Sequence, residues 1–361
     1  MPAPVETMEA YADALVLELG RMSRQWPGAT LSSVFLGGGT PSIMPAKALS
    51  RVLGAVREGF ELLPNAEFTS EANPGTLEAE WLSTAMACGL NRLSLGVQAA
   101  QDALLSAIGR VHTFEEAQSA VALARACGVE NLNLDLMFGL PGQRLSDYRA
   151  TVEAAAALRP EHLSAYSLIL EPNTPLYDAV MAGRVALPTE DETADMYEQG
   201  IAWLADAGFR RYEISNFARP GYECRHNLGY WRGAYYLGAG AAAHGMLPPR
   251  DEGQAYLRYG NAPDVDAYIR ALLAGNPPPA QETPVTPREA MFETMMLSLR
   301  TTTGVSEAEF AGKHGVALRA RYGQALDGLA ADGLGRFEAG RFFLTARGLA
   351  LQNDALLRLM D

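Results

Sequence analysis

Val34–Pro41 reads VFLGGGTP: three apolar residues run into three consecutive glycines, then Thr40 and Pro41. A short apolar run bounded by glycine and proline has the form of a buried strand that stops abruptly. Three glycines just past that stop remove every Cβ, so backbone amides and carbonyls can meet a ligand directly. A tight strand-to-helix turn needing positive φ is the plainer reading of the same residues. The ends of the strands that follow bear on which reading holds.

Four more strands are predicted downstream. Glu67–Glu71 ends at Asn73–Gly75, and Asn91–Val97 is closed by Gln98. Leu132–Met137 carries Asp135 and runs into a Phe-Gly-Leu-Pro-Gly turn at 138–142, and His162–Leu170 follows. Between them, apolar residues at helical spacing predict helices over Val5–Arg24, Pro45–Phe60, Leu77–Cys88, Phe114–Cys127 and Ser146–Leu158. Strand and helix alternate about every 30 residues, which calls for parallel strands joined by helical crossovers. The strands read as apolar with few alternating polar residues, as expected when both faces are covered. Open doubly wound sheets and closed or partial barrels both satisfy this pattern. Barrels place function at the C-terminal ends of successive strands. Here those ends carry Gly37–Thr40, Glu71, Gln98 and Asp135, which fit one shared pocket better than four chance turns.

Composition bounds the partners. The 361 residues carry a formal net charge of −13, which argues against a broad nucleic-acid or anionic-membrane surface. No run of roughly 18 apolar residues is present to span a bilayer. The opening MPAPVETMEAY lacks the basic and apolar regions of a secretory signal. Cys88, Cys127 and Cys224 lie far apart, which suggests a reduced, cytoplasmic setting. With no CxxC or CxxxC spacing, a cluster held by closely spaced thiolates is not available within this sequence.

Arg211–Gly245 is the most unusual segment, RYEISNFARPGYECRHNLGYWRGAYYLGAGAAAHG. It sets seven aromatic residues beside Cys224, His226 and His244. Such a set can suit a flat hydrophobic cofactor; its composition alone fits better a long irregular loop pinned by aromatics. The proline-rich run 276–287 is read as a domain boundary. Past it, helices over Arg288–Arg300, Glu307–His314 and Ala317–Asp332, a hairpin at 335–345 and a last helix over Thr345–Met360 have a winged-helix order. Acidic and aromatic residues interrupt its basic positions, so packing is favoured over DNA binding. The expected organisation is 1–245 as the main domain, 246–287 as a connecting segment and 288–361 as the winged-helix-like α+β module.

The motifs LGGGTPS (36–42), EANPGT (71–76), NRLSLGVQ (91–98), GRVHT (109–113), NLDLMFGLPGQ (133–143) and EPNTPL (171–176) resemble, in order and spacing, the HemW/HemN group of radical S-adenosylmethionine proteins. The resemblance covers nearly the whole chain. It implies an α/β fold with a partial (β/α) barrel that binds S-adenosylmethionine at its open end. By the same resemblance Gly38, Gly39 and Thr40 hold the methionyl part, and Glu71, Gln98, Arg110 and Asp135 line the rest, with Asp135 at a ribose. The group divides into oxygen-independent coproporphyrinogen III oxidases, which decarboxylate propionates by radical chemistry, and haem chaperones that deliver haem to client proteins, soluble or membrane-associated. Cys224–Gly233, CRHNLGYWRG, matches the HNxxYW signature of the chaperone branch. That makes His226 the leading candidate for a haem-iron ligand and Cys224 an alternative one, with Tyr230 and Trp231 packed on the macrocycle. Members of the group begin with a strand and a CxxxCxxC loop whose thiolates hold a [4Fe–4S] cluster. Neither is in this sequence, so the expectation is a barrel missing its first strand through truncation, the alternative being a cluster-free relative.

Overall fold

The period-2 alternation of three strands organises the first unit of the protein, seen in a computed structural model that describes residues 3–360. Strands β1 (Thr30–Leu36), β2 (Glu61–Ala72), β3 (Arg92–Gln98), β4 (Asn131–Phe138), β5 (His162–Ser167), β6 (Arg210–Arg211) and β7 (Asn216–Ala218) form one sheet in the order β1-β2-β3-β4-β5-β7-β6. The first five run parallel, and β7 lies antiparallel to β5 and β6. Helices Ala46–Gly59, Ala79–Ala87, Phe114–Ala126 and Leu145–Ala157 make the crossovers, and the sheet is curled into a partial barrel.

Leu93, Leu95, Val97, Leu132, Leu134, Leu136 and Leu163 point to the helical side, where they pack with Leu82, Ala117, Ala124 and Val152. The alternate residues Arg92, Ser94, Asn133, His162 and Ser164 are also buried but are hydrogen-bonded or polar. The strands therefore have an apolar outer face and a polar inner face. This corrects the expectation of strands apolar on both sides: RLSLGVQ, NLNLDLMF and HLSAYS alternate over most of their length, and that alternation separates the helical packing from the barrel interior.

Strand β2 starts six residues before the predicted Glu67, and it contains Pro64. The chain accommodates the proline by slipping register: Leu31 pairs with Leu62, but Ser33 already pairs with Glu67. Proline cannot donate to a ladder, so it is carried in the irregular stretch.

The second unit comprises Asp13–Gln25, Tyr212–Ile214 and the chain from Cys224 onward. Strands β8 (His244–Leu247), β9 (Tyr256–Asn261) and β10 (Ala280–Val285) form an antiparallel sheet in the order β10-β9-β8. The proline-rich run thus folds as an edge strand, the place where Pro284 costs least. Helices Pro287–Ser298, Glu307–His314 and Leu318–Ala331 share a core of Met295, Leu299, Phe310, Leu326 and Phe342 with a small sheet of β11 (Val305–Ser306), β12 (Gly335–Glu338) and β13 (Arg341–Leu344). The predicted last helix is two, Ala346–Ala350 and Gln352–Leu357, parted at Leu351 with ψ of 31°. No helix among the described residues is long and apolar enough to cross a membrane.

One buried carboxylate joins distant parts of this second unit. Glu18, 2% exposed on helix Val5–Gln25, accepts from the Gly240 amide at 2.7 Å, the Asn261 amide at 2.8 Å and the Tyr268 hydroxyl at 2.5 Å. Burial raises its pKa, and those three donors oppose the rise.

Candidate functional site

Strand β1 delivers the glycine run to the C-terminal end of the barrel. A Cβ on Gly37 would stand 2.6 Å from the Phe35 ring and 2.9 Å from the Glu71 carboxyl, so only glycine lets these groups approach. Gly38 has a φ of +82°, and open space surrounds the position its Cβ would take. Its amide donates to the Glu71 carboxylate. Thr40 then leads into the turn Pro41–Ile43, where Ser42 Oγ lies 2.6 Å from Thr76 Oγ1 and accepts from the Asn73 amide at 3.3 Å. The loops after β1 and β2 are thereby fastened to each other.

Gln98 ends β3 in an unusual state. Its φ is +69°, in the left-handed region where a side chain costs about 1–2 kcal/mol. The β3–β4 register slips between Gly96 and Gln98, and the Gln98 amide lies 2.9 Å from where a Gly96 Cβ would sit. The missing Cβ at Gly96 is what gives that side chain room.

Asp135 is the most interconnected of the predicted residues. It accepts from Asn133 Nδ2 at 2.7 Å and Ser94 Oγ at 3.1 Å, and from Ser164 as well. Asn133 Oδ1 in turn lies 2.6 Å from His162 Nδ1 and accepts from Ser164 Oγ at 3.1 Å. Burial raises the Asp135 pKa, while these donors and Arg92 pull it back. Burial also raises Glu71, and the Asp135 charge adds to that rise. Arg110 is lowered by burial and opposed by the attraction of Asp135. Gly38, Glu71, Asp135 and Arg110 are thus linked in one chain of contact and field, and Gln98 ends the strand paired beside Asp135.

Sequence reasoning missed the residues beneath them. Arg92, Ser94, Asn133, His162 and Ser164 form the buried support of Asp135, and their signal was the strand alternation. His162 is held well below its ordinary pKa by burial and by Arg92, so it stays neutral. His112, two residues past Arg110, is 3% exposed, with Nε2 3.4 Å from the Val97 carbonyl and Nδ1 without a partner. A cavity of about 550 Å³, lined by Ser42, Lys47, Gly75, Thr76 and Trp81 among others, opens beside the fastened loops and includes none of Glu71, Gln98, Arg110 or Asp135.

The aromatic segment belongs to the second unit, and it contains a helix, Arg225–Trp231, in place of an irregular loop. His226 and Tyr230 are one turn apart on it, the spacing that stacks side chains on one face. His226 Nε2 lies 3.0 Å from the Tyr230 hydroxyl, and the rings meet edge to face at 4.8 Å. Tyr236 continues the edge-to-face series at 4.7 Å from Tyr230. Burial, with Tyr236 and Cys224 nearby, pushes the Tyr230 hydroxyl up to about 12. Cys224 precedes the helix with its side chain buried, and its amide donates to the Tyr212 hydroxyl at 3.3 Å. His244 starts β8 with its ring against Gly260.

These residues fit two groups and not a third. A backbone-lined glycine loop with two carboxylates and an arginine suits the amino-acid and ribose parts of S-adenosylmethionine. A histidine among aromatic rings suits haem. The [4Fe–4S] cluster does not fit: no three potential metal ligands come together among the described residues, and Cys88 sits 4.0 Å from Ser50 on a surface helix pair.

Comparison with known proteins identifies the family and the fold. Residues 12–155 match the family model of the radical SAM superfamily, and residues 285–351 match that of the HemN C-terminal domain. The heme chaperone HemW of Bacillus subtilis is 38% identical over 97% of this chain and 90% of its own length. The heme chaperone HemW of Mycobacterium tuberculosis H37Rv is 36% identical over 96% of this chain and 84% of its own. Among solved structures, coproporphyrinogen III oxidase (HemN) from Escherichia coli superposes with a TM-score of 0.84 over 99% of this chain and 84% of its own, at 23% identity, a likeness of fold.

Proposed function

The chain belongs to the HemW family of radical SAM proteins, and from that membership we propose that it is a haem chaperone: it binds haem at helix Arg225–Trp231 and passes it to proteins that require haem. The observation that carries the reading is the His226–Tyr230 pair, a nitrogen ligand and an aromatic wall on one helical face. Haem, when bound, supplies an iron with axial positions that an imidazole nitrogen suits. For His226 to ligate through Nε2, its contact with the Tyr230 hydroxyl has to open. Trp231 and Tyr236 then offer apolar surface, and Cys224 stays behind the helix unless its buried thiol is uncovered.

At the barrel end, Gly38, Gly39 and Thr40 offer backbone groups to the methionyl part of S-adenosylmethionine. Glu71 and Asp135 accept from ammonium and ribose hydroxyl donors, Gln98 supplies an amide, and Arg110 pairs with the ligand carboxylate.

Titration of the full chain with haem, followed in the Soret region, tests the first part. Wild-type protein is expected to shift the Soret maximum, and His226→Ala to lose that shift. An unchanged spectrum for His226→Ala removes His226 as the ligand.

A further inference from the structure

Around the C-terminal end of helix Arg225–Trp231, donors stand without acceptors. The Arg300 guanidinium carbon lies 4.9 Å from the centre of the Trp231 ring. Apart from that stacking, the Arg300 side chain makes no hydrogen bond or ion pair with any described residue, and its Nε is buried. Trp231 Nε1 is also buried with no acceptor. Two residues on, Gly233 turns with a φ of +66°, and the Lys313 ammonium reaches to 2.7 Å from the point a Gly233 Cβ would occupy. Lys313 is one of two lysines in the sequence, the other being Lys47. It forms no ion pair among the described residues. Glu293, the acid whose charge it feels, is held by Arg258 at 2.6 Å.

Native proteins pair nearly all their buried donors, because leaving one unmet is costly. A guanidinium lying on an indole face keeps its edge donors free for a planar anion. A lysine at Gly233, two residues past the indole, adds a mobile point charge, so the two are suited to carboxylates. Arg258 neutralises the acid in the neighbourhood, which leaves the local field positive.

We propose that Arg300 and Lys313 form a carboxylate subsite for the propionate side chains of a tetrapyrrole bound at helix Arg225–Trp231. The assignment deepens the haem reading and rests on it. His226 selects the metal, and Arg300 with Lys313 selects the acid edge of the ring.

Iron-free protoporphyrin and its dimethyl ester, bound to the full chain and followed by fluorescence, separate the two contributions. The free acid is expected to bind about 100-fold more tightly than the ester, since each of the two charge-assisted bonds is worth about a factor of ten. Lys313→Gln and Arg300→Gln should each weaken the acid about tenfold and leave the ester unchanged, with Lys313→Arg restoring most of the difference. Lys313 is exposed, so its variant keeps the test available should Arg300→Gln fail to fold. Equal affinity of wild-type protein for acid and ester overturns the subsite alone. Binding of none of acid, ester or haem overturns the haem reading and the subsite together.

Discussion

The two candidate sites differ in what they leave unmet. At the ends of β1–β4, the Asp135 charge adds to the burial that raises the Glu71 carboxyl, and the same charge favours the cationic form of Arg110. Around helix Arg225–Trp231, the buried unmet groups are donors, Arg300 Nε and the Trp231 indole, and the exposed Lys313 adds a second positive charge. A ligand rich in hydroxyl and ammonium donors suits the first, and a ligand carrying carboxylates suits the second. On the proposed assignments each site would also repel the other's ligand, because like charges would meet. Selectivity between two unlike cofactors would then follow from the sign of the surplus at each place.

The contrast is broken most directly at Asp135. Asp135→Ala removes the carboxylate proposed to accept from a ribose and leaves the Asn133 and Ser94 donors without their acceptor. Calorimetry with S-adenosylmethionine should show about 100-fold weaker binding, while haem affinity stays as it was. Loss of both affinities would mean that the sites are not chemically separate.

Glu71→Gln sharpens the comparison through pH. Burial and Asp135 raise the Glu71 pKa above its ordinary 4.5, so the charged form penalises the folded state. That penalty is fully present above the folded pKa and is relieved as pH falls through it; below the unfolded value nothing remains to relieve. Glu71→Gln should therefore melt higher than wild type near about pH 8, and the difference should shrink toward about pH 5. S-adenosylmethionine affinity should fall about tenfold at the same time. A melting difference that grows on acidification contradicts the assignment.

The smallest expected effect is at Tyr230. Tyr230→Phe keeps the ring and removes the hydroxyl held 3.0 Å from His226 Nε2. If that contact has to open before iron binds, haem should bind about fivefold more tightly, the worth of one ordinary hydrogen bond. Weaker binding would assign the hydroxyl a holding role.

Much of this was legible in the order of residues. The glycine run, Glu71, Gln98 and Asp135 stand out because ligand-binding barrels place polar and glycine residues at strand ends, whereas Arg110 follows from the family resemblance alone. The support beneath Asp135 was not, although RLSLGVQ and NLNLDLMF display it. Their leucines dominate a hydropathy reading, and the polar residues between them look incidental until hydrogen bonds join the strands. Strand β10 escaped for a different reason: AQETPV has five exposed positions and a proline, and only pairing with β9 makes it a strand. Helix Arg225–Trp231 is short, uncapped and contains Gly229, so local propensity argues against it and packing decides. The unmet donors could not be read at all, since Arg300 and Lys313 lie about 70 and 80 residues from Trp231 and Gly233.

The Glu18 junction has a bearing on biosynthesis. Its three donors lie 222, 243 and 250 residues further along the polypeptide. At about 5–20 residues per second, a ribosome needs roughly 12–50 s to deliver the last of them. For that interval the first long helix emerges with an acidic group whose eventual partners do not yet exist. Glu18 must therefore stay hydrated through that interval, and completion of the Tyr268 helix is the event that lets this junction of the second unit close.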